Sequence, residues 1–364
     1  MSNLHAVAAA GQSVWSDQIS RRMLDTGELE RRIAEDAVTG VTSNPSIFAK
    51  AIVGSDDYAR QLDELVGRDA STKEIVGALM TSDLQRACDA LLAVWERTGG
   101  RDGHVSVEVD PELAHDTAQS VAEAREWVKR IDRPNLLVKI PATRAGIPAI
   151  TSLIGEGISI NVTLIFSLER YREVMDAYLT GLESFRAIGG DTSTVASVAS
   201  FFVSRVDSEV DARLESIGTE RALSLRGKAA IANALAAYDE YLYAFRGARW
   251  ESLAASGARI QRPLWASTST KNPDYPDTLY VDSLVAPHTV NTMPIETIDA
   301  YQEHGSDRPT IFGPAERALA RVTLRELAEV GVDYDDVVQT LEDEGVDKFI
   351  GSWRDLLEDV ESER

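Results

Sequence analysis

The sequence predicts an α/β fold in which eight parallel strands close into a (β/α)8 barrel. Short apolar segments rich in β-branched residues alternate along the chain with longer helical ones, the pattern of a parallel sheet covered by helices. Eight such segments are candidate strands, the number that closes a TIM barrel, and most are followed by polar residues. The chain has the length of two ordinary domains or one large barrel, and no linker or repeat demands a second domain. We therefore predict one domain over residues 1–364.

The candidate strands and helices can be placed in order along the chain. The strands are residues 13–19, 38–42, 105–109, 135–140, 159–165, 194–203, 263–267 and 279–284. The second connection is long enough for two or more helices over residues 56–98, with Ser71 and Ser82 as candidate caps. The sixth carries a helical region at 206–245 that Gly218 interrupts. Further helices are predicted after the eighth strand at 295–301, 315–330 and 334–361.

Composition limits the classes of protein that this chain can be. Hydrophobic residues make up 44% and charged residues 26%, and no apolar run approaches the length of a membrane span. The net charge of −22 argues against nucleic-acid or anionic-membrane partners, which need basic patches. Residues 1–11 show no secretory pattern, and Cys88, the only cysteine, excludes an internal disulfide. We expect a cytoplasmic protein.

The fourth strand contains a lysine in apolar surroundings. Lys139 lies between Val138 and Ile140, and Pro141 limits the strand to one or two residues beyond it. The carboxyl ends of parallel strands form the binding rim of such a barrel, and loss of solvation there favours the neutral, nucleophilic amine. A neutral amine attacks a carbonyl to form a Schiff base. The alternative is a lysine whose amine extends into solvent.

The scarcity of lysine favours a functional role for Lys139. Only seven of the 37 basic residues are lysines, namely 50, 73, 129, 139, 228, 271 and 348. The chain therefore uses arginine for most of its positive charge, and arginine cannot form a Schiff base. A lysine within an apolar strand indicates selection for its chemistry.

The other strands deliver polar residues to the same predicted rim. Asn161 and Thr163 alternate with Val162 and so face one side of the fifth strand. The remaining candidates are Asp17, residues 42–44, Glu108, Ser200 and Arg205. Together they supply a nucleophile, proton carriers and donors for substrate hydroxyls.

Each of these residues also has a structural alternative. Asp17 could cap a helix that begins near Ile19, and residues 42–45 could form a turn and helix start. An unpaired buried carboxylate is costly, so the structural role expected for Glu108 is pairing with Lys139.

Several motifs resemble the transaldolase family, of the actinobacterial type with long insertions. Residues 40–46, Gly-Val-Thr-Ser-Asn-Pro-Ser, resemble the signature that follows its second strand. Residues 138–143, Val-Lys-Ile-Pro-Ala-Thr, resemble its Schiff-base strand, and residues 160–166, Ile-Asn-Val-Thr-Leu-Ile-Phe, its fifth strand. The order and spacing agree from Asp17 to Arg205. The resemblance implies a barrel of the class I aldolase type.

The resemblance also implies roles for the site residues. Lys139 would attack the ketone of a ketose phosphate, and Asp17 would take the C4 hydroxyl proton as the carbon bond breaks. Glu108 and Thr163 would hold a water that relays protons. Three further residues would bind or shape the pocket of the three-carbon unit, namely Asn44, Asn161 and Ser200. The expected activity is transfer of dihydroxyacetone from sedoheptulose 7-phosphate to glyceraldehyde 3-phosphate; the alternatives are fructose-6-phosphate cleavage and a non-catalytic sugar-phosphate binder.

The resemblance weakens at the phosphate site. Arg205 matches a phosphate-binding arginine of the family, and Ser267 begins the matching loop. Where the family commonly has an arginine two residues after the serine, this chain has Ser269, and we predict that Lys271 supplies the charge. A surface lysine is the alternative for Lys271.

The five histidines show no ligand spacing, so no metal is expected, and His288 is interpreted as a loop donor at the rim. The chain also lacks a Gly-rich nucleotide loop, so no dissociable cofactor is expected. Sugar phosphates are the expected partners of a monomer or homodimer.

Overall fold

The computed structural model describes residues 3–363, and its centre is a closed barrel of eight parallel strands. The strands follow one another around the barrel in chain order, and the eighth pairs with the first. They are β1 (Gln12–Ser16), β2 (Val38–Val41), β3 (His104–Glu108), β4 (Leu136–Pro141), β5 (Ile160–Ile165), β6 (Ser197–Phe202), β7 (Arg262–Ala266) and β8 (Thr289–Met293). The predicted α/β TIM barrel is confirmed.

Helices surround the barrel and fill the two long connections. Before β6 they are α1 (Asn3–Ala9), α2 (Arg21–Asp25), α3 (Glu28–Glu35), α4 (Pro45–Ile52), α5 (Ala59–Val66), α6 (Thr72–Arg97), α7 (Thr117–Ile131), α8 (Gly146–Gly155) and α9 (Leu168–Ala187). After β6 they are α10 (Ser204–Ile217), α11 (Glu220–Leu223), α12 (Ala229–Ala244), α13 (Ala248–Ala254), α14 (Leu279–Ser283), α15 (Ile295–His304), α16 (Pro314–Glu329) and α17 (Tyr334–Ser362). No helix within residues 3–363 combines the length and apolar character needed to cross a membrane.

The helix ends follow local capping chemistry at two of the three predicted positions. The Ser71 side chain accepts from the backbone N–H of Glu74 and opens α6 with a capping box. Gly218 ends α10 in a left-handed conformation, at φ 69°, as its position predicts. Ser82 was wrongly predicted as a cap, because α6 keeps a buried face through this turn and continues to Arg97.

The predicted eighth strand is wrong. Residues 279–284 form α14 and its cap, and the strand that closes the barrel is β8, ten residues further on. The α14 segment buries Tyr280 and Val281, and a short apolar run of this kind suits a buried strand as well as a buried helix turn. The β8 strand instead carries buried polar side chains, including Asn291 and Thr292.

A buried ion network fills the amino-terminal end of the barrel, opposite the binding rim. Asp102 accepts hydrogen bonds from the Ser13 hydroxyl and from the Trp15 indole, the latter at 2.7 Å. The Arg262 guanidinium lies 3.6 Å from the Asp102 carboxylate, and both side chains are buried. Next to this pair, burial lowers the pKa of His104. The network links β1 and β7 to the segment before β3 through hydrogen bonds and one pair of opposite charges.

We expect Asp102→Asn to destabilise the fold by about 3 kcal/mol, because the substitution leaves the Arg262 charge buried without a counterion. The free energy of unfolding from urea titration measures this effect. The matched control is Asp89→Asn, which removes an exposed ion pair with Arg133 and is expected to cost less than about 1 kcal/mol. Equal losses in the two variants would contradict the buried-charge argument.

Candidate active site

A cavity of about 810 Å³ opens at the carboxyl ends of the strands. Eight of the residues predicted for the site line it: Asp17, Asn44, Lys139, Thr163, Ser200, Arg205, Ser267 and Lys271. The two others, Glu108 and Asn161, lie behind this wall and bond to its members. The rim of the barrel therefore brings together residues from seven different strand ends or their loops.

Lys139 is buried in the barrel and does not extend into solvent. Its side chain is 7% exposed, and its Nζ donates to the Ser43 carbonyl at 2.9 Å and to Glu108 Oε2 at 3.1 Å. β4 ends at Pro141, within the predicted limit of two residues beyond the lysine. The pairing with Glu108 that we expected is present. Two hydrogen bonds therefore hold the amine at the cavity wall. They leave one further position on Nζ for another partner.

Glu108 and Thr163 flank Lys139 on the adjacent strands. Burial raises the pKa of Glu108, although Lys139 and Arg205 act in the opposite direction, so this carboxyl keeps a proton to higher pH than a free glutamate. The Thr163 hydroxyl is buried without a hydrogen-bond partner among the described residues. A register shift in β5, with Leu164 at φ 58°, accompanies this position. The unpaired hydroxyl and the carboxyl can hold a water beside the amine.

Asn161 organises the wall of the cavity through two hydrogen bonds. Its Nδ2 donates to the Ser106 hydroxyl at 3.1 Å, and its Oδ1 accepts from the Ser200 hydroxyl at 2.7 Å. The Asn44 side chain caps α4 by accepting a hydrogen bond from the Ile47 N–H at 3.1 Å. The helix-start interpretation of residues 42–45 is therefore correct, and Asn44 also lines the cavity.

Asp17 follows β1 and is not a helix cap. The cap of α2 is Ser20, whose hydroxyl accepts from the Met23 N–H at 3.1 Å. Burial and the nearby Glu296 carboxylate raise the pKa of Asp17 to about 6, whereas Lys271 and Lys139 oppose the rise. A carboxyl with this pKa changes its protonation state near neutral pH, as a general acid and base must.

The sixth and seventh strands deliver the groups expected to bind an anion. Burial lowers the pKa of Arg205, and its Cζ lies 5.3 Å from the ring centre of Phe202. Ser267 adopts φ 56°, which is uncommon outside glycine, and its hydroxyl bonds to that of Ser204 at 2.8 Å. The Lys271 Nζ donates to the Ser269 hydroxyl at 2.7 Å, and burial together with neighbouring positive charges lowers its pKa.

Two tyrosines, one in the loop that carries Lys271 and one in α14, which follows it, bind α10. The Tyr275 hydroxyl donates to Asp211 at 2.6 Å, and the Tyr280 hydroxyl donates to Asp207 at 2.8 Å. Both carboxylates belong to α10, the helix that also carries Arg205. The α10 helix therefore carries Arg205 and also positions the loop that carries Lys271.

Several residues of the cavity wall were not predicted from the sequence, among them two lysines and a phenylalanine from α4 and α17. Lys50 at the end of α4 and the neighbouring Lys348 and Phe349 of α17 all line the cavity. The Phe349 ring centre lies 5.8 Å from Lys139 Nζ and 5.9 Å from Arg205 Cζ. The scarcity of lysine was a usable signal for Lys50 and Lys348, because it applies to them as it does to Lys139.

His288 does not lie at the rim as predicted. It immediately precedes β8, at the amino-terminal end of the barrel, and its backbone N–H donates to the Gly11 carbonyl at 3.0 Å. Within the described part of the chain, no cluster of three or more His, Cys, Asp or Glu side chains is placed to hold a metal ion.

A parallel barrel whose cavity holds a buried lysine beside carboxyl groups is typical of enzymes that act on carbonyl compounds through an amine. The Transaldolase/Fructose-6-phosphate aldolase family matches residues 14–360. The chain is 55% identical over 365 residues to the Transaldolase of Mycolicibacterium paratuberculosis, covering 99% of this chain and 97% of the relative. It is 56% identical over 362 residues to that of Thermobifida fusca, with the same coverage of both chains.

Transaldolase 1 of Streptomyces coelicolor is similarly close, at 55% identity over 355 residues, which cover 97% of this chain and 93% of the relative. The chain belongs to the transaldolase/fructose-6-phosphate aldolase family, as the motifs in its sequence indicated. These identities over the full chain support transaldolase function and make the protein an enzyme, a transferase.

Proposed function

We propose that the enzyme transfers a dihydroxyacetone unit from sedoheptulose 7-phosphate to glyceraldehyde 3-phosphate through a Schiff base on Lys139. The products are erythrose 4-phosphate and fructose 6-phosphate, which places the reaction in the pentose phosphate pathway. The observation that carries the proposal is the buried Lys139 amine, fixed at the cavity wall beside Glu108 and sharing that cavity with Asp17. The names of the relatives agree with transfer rather than simple cleavage.

Covalent attachment begins when the Lys139 amine attacks the C2 carbonyl of the ketose phosphate. The carbinolamine loses water and becomes an iminium ion. Glu108, with its raised pKa, and the unpaired Thr163 hydroxyl hold the water that carries protons to and from this centre. No dissociable cofactor takes part in this step.

Bond cleavage follows when the Asp17 carboxylate takes the C4 hydroxyl proton. The C3–C4 electron pair moves into the iminium to form an enamine, and the aldose phosphate leaves. The enamine carbon then attacks the aldehyde of the acceptor, Asp17 returns a proton to the new hydroxyl, and water hydrolyses the iminium. Asn44, Asn161 and Ser200 position the three-carbon unit, and Arg205, Ser267 and Lys271 bind the phosphate.

Borohydride reduction in the presence of fructose 6-phosphate, followed by peptide mapping, tests the covalent step. We expect a reduced adduct on the peptide that contains Lys139 and none when the sugar is omitted. Absence of the adduct would eliminate the Schiff-base mechanism and leave a non-catalytic sugar-phosphate binder. Product analysis with erythrose 4-phosphate separates the enzymatic alternatives, because transfer yields sedoheptulose 7-phosphate, whereas an aldolase releases free dihydroxyacetone.

We also propose that the chain forms a single domain over residues 1–364 and works in the cytoplasm as a monomer or homodimer. Residues 1–2 and 364 lie outside the described residues. The single-domain proposal is supported by the packing of α16 against α12 and of α17 against α4, which returns the last helices to the barrel. Cys88, the only cysteine, is buried, which fits a reducing compartment.

A further inference from the structure

Lysines gather around the cavity in a chain that otherwise uses few of them. Four of the seven line it, namely Lys50, Lys139, Lys271 and Lys348. The proposed reaction uses Lys139 and Lys271 and assigns nothing to the other two. Lys50 and Lys348 come from helices rather than strands, so the barrel scaffold alone does not explain their presence at the rim.

Four positive charges at this rim form no ion pair among the described residues, although the carboxyl groups of Asp17, Glu28 and Glu296 also line the cavity. Within residues 3–363, none of Arg205, Lys271, Lys348 and Lys50 forms an ion pair, whereas Lys73 elsewhere pairs with Asp110 at 2.6 Å. These charges also act on one another, because after burial and Asp17 the strongest influences on the pKa of Lys271 are the positive charges of Lys348, Arg205 and Lys50. Mutual repulsion of this kind is relieved when an anion binds among the charges.

The helices that carry the two lysines are held in place against each other. The Ser46 hydroxyl of α4 donates to the Ser352 hydroxyl of α17 at 2.7 Å. Phe349, next to Lys348, lies buried with its ring centre 5.9 Å from Arg205 Cζ. This packing of α17 places the exposed Lys348 side chain in the lining of the cavity that also holds Arg205.

We propose that Lys348 and Lys50 complete the phosphate-binding site together with Arg205 and Lys271, so that the last helix selects phosphorylated substrates. This inference rests on the proposed function and adds specificity-determining residues from outside the barrel. Their ligand is the terminal phosphate monoester, which carries two negative charges and is common to the ketose donor and the aldose acceptor. Four cations around a dianion also explain how so acidic a protein attracts these substrates.

Calorimetric titration of the full chain with inorganic phosphate tests the site directly. We expect Lys348→Met to weaken the binding of phosphate about tenfold and Lys50→Met by a smaller factor. Lys348→Arg retains the charge and should stay within about twofold of the native protein. The control is Lys129→Met on the outer face of α7, an exposed lysine that does not line the cavity and should leave binding unchanged.

Unfolding midpoints of all four variants establish that each is folded, as exposed positions allow. Native affinity in both Lys348→Met and Lys50→Met, an equal loss in Lys129→Met, or no binding of phosphate by the native chain would overturn the assignment.

Kinetics separate this inference from the proposed reaction. In Lys348→Met, KM for fructose 6-phosphate should rise several-fold at nearly constant kcat, and KM for unphosphorylated fructose should not change. An equal rise for both sugars would overturn the phosphate assignment. Phosphate titration needs no covalent chemistry, so a missing Lys139 adduct with intact phosphate binding refutes only the proposed reaction. An intact adduct with unaltered affinity in the variants refutes only the role of Lys348 and Lys50.

Discussion

Replacing Lys139 with arginine is expected to lower kcat by roughly four to six orders of magnitude, the scale seen when a covalent nucleophile is removed. Arginine keeps the positive charge beside Glu108, which lies 3.1 Å from the native amine, but a guanidinium cannot form the iminium. A coupled assay with erythrose 4-phosphate and fructose 6-phosphate measures the rate. Intact mass after borohydride treatment should show no added sugar.

The matched control for this variant is Lys129→Arg on the exposed face of α7, which should retain the native rate and adduct. Lys139→Met provides a second comparison, because it leaves the buried Glu108 carboxyl without its charge partner. It should be inactive and also unfold at lower urea concentration at neutral pH. A Lys139→Arg variant that keeps even a hundredth of the native rate would contradict covalent catalysis.

Replacing Asp17 with asparagine is expected to lower kcat by about 10²- to 10⁴-fold, the contribution of a positioned general base. The amide cannot accept the C4 hydroxyl proton, whereas formation of the iminium does not require this group. Borohydride should therefore still trap fructose 6-phosphate on Lys139 in this variant. Asp89→Asn, at an exposed ion pair with Arg133, is the control and should leave the rate unchanged.

The raised pKa of Asp17 has opposite consequences for rate and stability. In the native protein kcat/KM should fall as pH drops below about 6, because the base becomes protonated, and Asp17→Asn should lack this limb. The folded pKa of about 6 lies above the ordinary value of 3.8, so ionisation costs stability as pH rises through this interval. Asp17→Asn should therefore be more stable than the native protein at pH 7.5 and lose that advantage below about pH 4. A less stable variant at pH 7.5 would refute the desolvation argument.

The sequence predicts β4 and β5, in which apolar residues outnumber polar ones, and it misses β8, in which they do not. β4 and β5 contain the apolar, β-branched residues that mark buried strands, and their predicted positions agree with the structure to within one residue. β8 is different, because Asn291 bonds to Thr268 and Thr292 bonds to Thr42 inside the barrel. Such pairs exist only after the strands have met, so a single strand does not reveal them.

A site residue was predictable where its polarity differs from that of its sequence neighbours. Lys139 stands out in an apolar strand, and the rim position of Asp17 follows from the end of β1. The pairing of Asn161 with Ser200, 39 positions apart, depends on the register of neighbouring strands. The α17 helix, near the end of the chain, packs back against the rim. No local sequence pattern predicts such a long-range contact.

The late position of α17 also determines when the chain becomes an enzyme during its synthesis. The barrel is complete at Met293, but Phe349 and its neighbour in the cavity wall follow 56 residues later. Until those residues are synthesised, the binding pocket lacks one side. We therefore expect catalytic competence to follow the synthesis of α17, and proteolytic loss of this helix to remove it.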